Sequence, residues 1–159
     1  MPKLVIIGLR LLLLLLVVPM ASCITTESGG VTGSESKEDA VEARVNLALQ
    51  YLRKRDFEAA RRNLKLALDI APRNADVHDA MAHTFSASGD LELADKHYRM
   101  AVGYGGDTSR YRFNYANFLL RTGEFAQAEK LLVEIADDSL YEKRGAALVL
   151  LGMTQQQLL

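Results

Sequence analysis

VEARVNLALQYLRKRDFEAARRNLKLALDIAPRN, residues 41–74, reads as two helices joined by a short polar turn. Apolar and small residues recur at helical spacing on both sides of Arg55 and Asp56. Pro72 then ends the second run, because proline cannot continue a helix. Two further segments, residues 75–108 and 109–142, align with the first without gaps, giving a period of 34 residues. The matching positions are those where packing is tightest. Ala48, Ala82 and Ala116 share one register position, where the first helix of each pair must approach its partner closely. Three residues on, the bulky Tyr51, Phe85 and Leu119 fill the space between the paired helices. Ala60, Ala94 and Ala128 form a second small position, followed four residues later by Leu64, Tyr98 and Leu132. The turns read RDF, GDL and GEF, with Asp56 and Asp90 as candidate N-caps and Phe57, Leu91 and Phe125 opening the second helices.

A 34-residue period of antiparallel helix pairs resembles the tetratricopeptide repeat. The expected fold is an all-α tetratricopeptide-repeat solenoid of about three and a half repeats, at 41–74, 75–108, 109–144 and, in part, 145–159. A chance helical bundle would not hold its alanines in register over three segments. Two departures from the consensus stand out. Arg44, His78 and Arg112 occupy the position where the consensus prefers an aromatic, and Gly106 and Leu140 replace the closing proline. The third repeat runs two residues long through DDSLYEKRG, after which Leu151 and Gly152 restore the pattern.

Outward from the repeats, residues 24–37 (ITTESGGVTGSESK) have the composition of a flexible linker, which puts the start of the repeat domain at residue 41. Residues 1–22 read as an export signal: Lys3 and Arg10 are basic, Leu11 to Val18 is uninterruptedly apolar, and the small Ala21 and Ser22 precede Cys23. From Leu4 to Val18 there are 15 residues with Arg10 among them, short of the roughly 20 apolar residues a permanent span requires. MASC, residues 20–23, resembles a bacterial lipobox, in which cleavage falls before the cysteine and the thiol receives a diacylglyceryl group. Lipoboxes favour leucine where Met20 stands, and ordinary signal-peptidase cleavage nearby is the alternative. The resemblance implies that residues 23–40 are a lipidated cysteine, palmitate-bearing in the usual case, and a tether. Each buried methylene of such a lipid contributes about 0.8 kcal/mol to membrane attachment.

The composition excludes several other functions. Removal of the signal takes the net charge from −1 to −3, which argues against nucleic acid as a partner. Cys23 is the only cysteine, so the chain has no internal disulfide and no thiolate metal site. His78 and His83 lie five residues apart, about 140° around a helix, and do not form a metal-binding pair. GYGG at 103–106 follows a helix rather than a strand, so it reads as a helix end and not a phosphate loop. Asp137 and Asp138 read as turn residues. No enzyme, cofactor or small-molecule substrate is expected.

What remains is protein binding. In helix-pair solenoids the first helices of successive repeats line one concave face. By register those positions are Glu42, Val45, Leu49 and Leu52, then Asp76, Asp79, His83 and Ser86, then Arg110, Phe113, Asn117, Leu120 and Arg121. The partner-binding groove is therefore expected at Val45, Leu49, Leu52, His83, Phe113, Asn117 and Leu120. Val45, Leu49 and Leu52 form an apolar stripe, a candidate seat for an amphipathic helix or an extended peptide. The alternative is that this stripe packs against residues 24–31 or the start of its own helix.

The order of signal, cysteine, tether and repeats resembles the type IV pilus biogenesis/stability lipoproteins, the tetratricopeptide pilotins of the pilus secretin. The likeness is carried by LALQYLRKRDFEAARRNLKLALDIAPRNADVHDAMA (47–82), YRFNYANFLLRTGEFAQAEKLL (111–132) and DDSLYEKRGAALVLLG (137–152). Members usually run on for further repeats, so this chain is expected to be shorter than they are. The resemblance implies a periplasm-facing outer-membrane lipoprotein that binds secretin subunits. A lipoprotein adaptor in another envelope assembly, such as outer-membrane protein insertion or peptidoglycan synthesis, is the alternative.

Overall fold

The computed structural model describes residues 35–159, and all the regular structure among them is helical. The export signal, Cys23 and most of the tether lie outside the described residues. Seven helices follow in order: α1 (Glu35–Arg53), α2 (Phe57–Ile70), α3 (Ala75–Ser88), α4 (Leu91–Tyr104), α5 (Ser109–Thr122), α6 (Phe125–Asp137) and α7 (Arg144–Gln157). Three antiparallel pairs, α1/α2, α3/α4 and α5/α6, are followed by α7, the first helix of a fourth unit. The expected solenoid is the observed one. One boundary differs: α1 begins at Glu35, so residues 35–40, assigned above to the tether, belong to the first helix.

Each pair packs along its length, and α3 and α5 also pack on the first helix of the preceding pair. Burial is correspondingly serial. Val41, Ala48, Ala60, Leu64, Ala67, Val77, Ala80 and Met81 close one cluster across the first pair and α3. Ala82, Ala94, Tyr98, Tyr115, Phe118, Leu119 and Ala128 close the next, and Ala116, Leu132, Ile135 and Ala147 the last. All six register alanines are buried to 1% exposure or less, which explains their recurrence: nothing larger fits between the paired backbones.

The turns follow local chemistry. The Asp56 carboxylate accepts from the Ala59 N–H at 3.0 Å and caps α2. Asn74 caps α3 in the same way through the Val77 N–H at 3.1 Å. Asp90 sits at the equivalent cap of α4 but turns its carboxylate to the Ser88 hydroxyl, which donates to it at 2.9 Å. Helices α3 and α5 end on Gly89 and Gly123, both left-handed at φ 91° and 85°. One period earlier the chain has Arg55 instead, held at φ 59° with its guanidinium 5.7 Å from the Phe57 ring. Gly105 has an ordinary φ of −80°, and its need is for space: a Cβ there would lie 2.2 Å from the Tyr111 ring. GYGG is thus a helix end and turn, as its setting suggested.

The long third turn is also specific. Asp138 accepts from the Ser109 hydroxyl at 2.6 Å and from the Leu140 N–H at 3.1 Å, while Arg144 Nε donates to the Ala136 carbonyl at 2.7 Å. These bonds fold Tyr141 inward onto Phe113, with ring centroids 5.9 Å apart.

Candidate functional site

Helices α1, α3 and α5 share one face, and three cavities open along it. The first, of about 490 Å³, lies between α1 and the starts of α3 and α5. Its floor is Val41, Val45, Leu49, Ile70 and Ala71, and its walls carry Lys37, Glu38, Glu42, Asn46, Asn74, Asp76, Asp79 and Arg110. The second, of about 330 Å³, lies between α5 and α7 and is lined by Asn117, Leu120, Arg121, Phe125, Leu150, Met153, Thr154 and Gln157. The third, of about 280 Å³, sits over the first two turns and includes Leu52, Arg55, Phe57, His83, Ser86 and Arg121.

The structure thus divides the expected groove. Val45 and Leu49 reach the first cavity, Leu52 and His83 the third, and Asn117 and Leu120 the second. Phe113 goes elsewhere: it is covered by Tyr141 from the long turn, with the Lys143 ammonium 6.0 Å from its ring. Val45 and Leu49 are only partly exposed, because the same side chains pack against the first core cluster. Residues 24–31, the other cover considered for this stripe, lie outside the described residues.

Along the shared face, α3 and α5 are joined by polar pairs spaced by one repeat. Arg110 forms an ion pair with Asp76, and the Tyr111 hydroxyl donates to the same carboxylate at 3.2 Å. Asn114 donates to both oxygens of Asp79, at 3.1 and 2.9 Å, and Arg121 donates to the Ser86 hydroxyl at 2.7 Å. The partners are 34 or 35 residues apart in sequence. Complementary side chains at that interval were a legible signal, and the sequence reading did not use it. Among the described residues, no side-chain hydrogen bond joins α1 to α3, where two of the three corresponding positions are apolar, Val45 for Asp79 and Leu52 for Ser86, and the third is Glu42 for Asp76.

Asp79 is the most enclosed of the charged groups here, at 8% exposure. Burial pushes its carboxyl above the ordinary range, opposed by His83, the Asn114 bond and Arg110. His83 lies beside it, with Nε2 3.7 Å from the carboxylate and Nδ1 3.0 Å from the Tyr98 hydroxyl. Both contacts are satisfied when Tyr98 donates to Nδ1 and the Nε2–H faces Asp79.

The departures at the aromatic consensus position now have a physical account. Arg44 donates to Asn63 at 3.2 Å, His78 meets His97 at 3.0 Å between Nδ1 atoms, and Arg112 donates to Glu134 at 2.8 Å. Each side chain makes a polar bond to the second helix of its own repeat, and His78 also keeps ring contacts there, with His97 at 5.2 Å and Tyr104 at 5.3 Å between centroids. His78 Nε2 can only donate to the Pro72 carbonyl, 3.0 Å away, so in the neutral imidazole its Nδ1 accepts from His97. Burial, then His78 and Lys96, push His97 down to about 4. The partner of His78 is therefore His97, a pair the sequence reading did not consider. Among the described residues no group of three or more His, Cys, Asp or Glu side chains is placed to hold a metal ion.

Residues 41–74 match the tetratricopeptide repeat family. The chain is 31% identical over 148 residues to the type IV pilus assembly protein PilF of Pseudomonas aeruginosa, a match covering 92% of this chain and 59% of that protein. It is 33% identical over 97 residues to an uncharacterised protein of Haemophilus influenzae, covering 61% of this chain and 54% of the relative. It therefore spans a little over half the length of the curated relatives it matches. Among solved structures, Pseudomonas aeruginosa PilF superposes with a TM-score of 0.72 at 32% identity, over 77% of this chain and 55% of that one. The type III secretion translocator chaperone SycD of Yersinia enterocolitica shares the fold, with a TM-score of 0.64 at 20% identity over 76% of this chain and 87% of that one. The chain is a tetratricopeptide-repeat protein, PilF-like in sequence along nearly its whole length.

Proposed function

We propose that this chain is an outer-membrane lipoprotein that acts as a pilotin, binding secretin subunits of the type IV pilus in the periplasm. The observation that carries the reading is the likeness to PilF over 92% of the chain. It is supported by the apolar-floored cavity of the first repeat and by the lipobox-like MASC ahead of the repeats.

The division of labour follows from the residues. Lipid on Cys23 fixes the protein at the bilayer, the segment before α1 gives it reach, and Val45 and Leu49 supply the apolar seat. Holding the repeats and the secretin at one membrane raises their effective concentration, so a modest contact suffices. Leu49→Glu places a carboxylate on that seat. It is expected to abolish co-purification of the secretin while the helical circular dichroism persists. Undiminished co-purification refutes the groove. Cys23→Ser is expected to move the protein out of the outer-membrane fraction, and full retention there refutes the anchor.

A further inference from the structure

The cavity of the first repeat is apolar at its base and acidic at its rim, and this combination specifies its occupant. Four carboxylates and two cations line it. Arg110 is taken up by Asp76, and the Tyr111 hydroxyl bonds the same carboxylate. Among the described lining residues that leaves Glu38, Glu42 and Asp79 with Lys37 as the one cation outside an ion pair. The Asp79 side chain is only 12% exposed and lines the cavity, yet among the described residues its two oxygens share a single donor, the Asn114 amide. The His83 Nε2, at 3.7 Å, is beyond hydrogen-bonding distance. A carboxylate offers about four acceptor sites, so Asp79 has capacity for further donors on the cavity side. Glu42 stands one period before Asp76, and among the described residues no cation is paired with it.

We infer that the first cavity takes an amphipathic segment of a protein partner, which lays apolar side chains on Val45 and Leu49 and delivers a lysine or arginine to Asp79 and Glu42. The inference rests on the groove reading above and adds the sign and position of the charge the partner must carry. The enclosed Asp79 contributes to holding the complex, while Glu38 and Glu42, exposed at the rim, contribute to capture and to salt sensitivity.

The test uses the full chain in detergent and two synthetic helical peptides with leucines at the same spacing, one otherwise lysine-rich and one glutamate-rich. The lysine peptide is expected to bind at least about tenfold tighter at low salt, with the gap narrowing as ionic strength rises. Glu42→Gln is expected to weaken the lysine peptide about threefold and Asp79→Asn about tenfold or more. Glu92→Gln, which removes an exposed acid from α4, should leave binding unchanged. Equal binding of the two peptides overturns the inference. So does an equal loss from Glu42→Gln and Glu92→Gln, which would indicate attraction to overall charge. If Asp79→Asn loses its helical signal, the comparison of Glu42 with Glu92 decides. Secretin co-purification that survives Glu42→Gln and high salt refutes this charge requirement while leaving the groove reading intact.

Discussion

Replacing His97 with phenylalanine tests whether the His78–His97 pair makes stability depend on pH. Phenylalanine keeps a ring stacked near Phe85, whose centroid lies 5.4 Å from that of His97, and removes the titrating group. Enclosure pushes His97 from 6.5 down to about 4, so between those values the unfolded chain binds a proton that the folded chain refuses. Stability from this source is therefore complete above pH 6.5 and is lost as the pH falls toward 4. At about 1.4 kcal/mol per pH unit, the interval sets a ceiling of about 3 kcal/mol. His97 keeps part of its surface in water, and screening reduces the expected effect to about 1–2 kcal/mol. Urea unfolding of both proteins at pH 7.5, 6.5, 5.5 and 4.5 measures it, because the other titrating groups contribute alike and cancel in the difference. The His97→Phe variant should be less stable than the parent at neutral pH, where His78 loses its donor, and the gap should shrink as acid is added. A gap that stays constant across the series refutes the reasoning. So does an NMR titration that places His97 near 6.5.

Three further outcomes follow from the packing. Gly105→Ala drives a methyl group into the Tyr111 ring and should cost about 1–3 kcal/mol, read as a lowered Tm. Arg55→Gly relieves a left-handed arginine at a position where the other repeats carry glycine, and should raise the urea midpoint by the equivalent of up to about 1 kcal/mol. For Asp76 and Arg110, a double-mutant cycle on stability should return a coupling of about 0.5–1 kcal/mol that falls in high salt, since both side chains are half exposed. A coupling unchanged by salt would show that packing, and not charge, joins them.

The repeats were legible because close backbone approach excludes all but small side chains, and a 34-residue interval makes that exclusion visible as aligned alanines. The start of α1 was not. Lys37, Glu38 and Asp39 are all exposed, so the first turns bury no apolar stripe and read like the linker before them. The cover over Phe113 was not legible for a different reason. Its register position is the right one for the shared face, but the long third turn brings Tyr141 over it, and register says nothing of where an irregular loop returns. The His78–His97 pair was hidden because each ring, taken alone, is an ordinary helix-surface residue and the two do not stand one repeat apart. Only the neighbouring helix makes it part of a bond.

The polar pairs between α3 and α5 have a mechanical consequence. Hydrogen bonds and ion pairs have a preferred geometry, so sliding α5 along α3 breaks several at once. Among the described residues α1 and α3 meet through the apolar side chains of one core cluster and no side-chain hydrogen bond, and a small roll of α1 exchanges one such contact for another at little cost. The shared face is therefore stiffer between α3 and α5 than between α1 and α3. A guest entering the first cavity meets a wall that can adjust to its side chains, set against a frame that holds Asp79 in place.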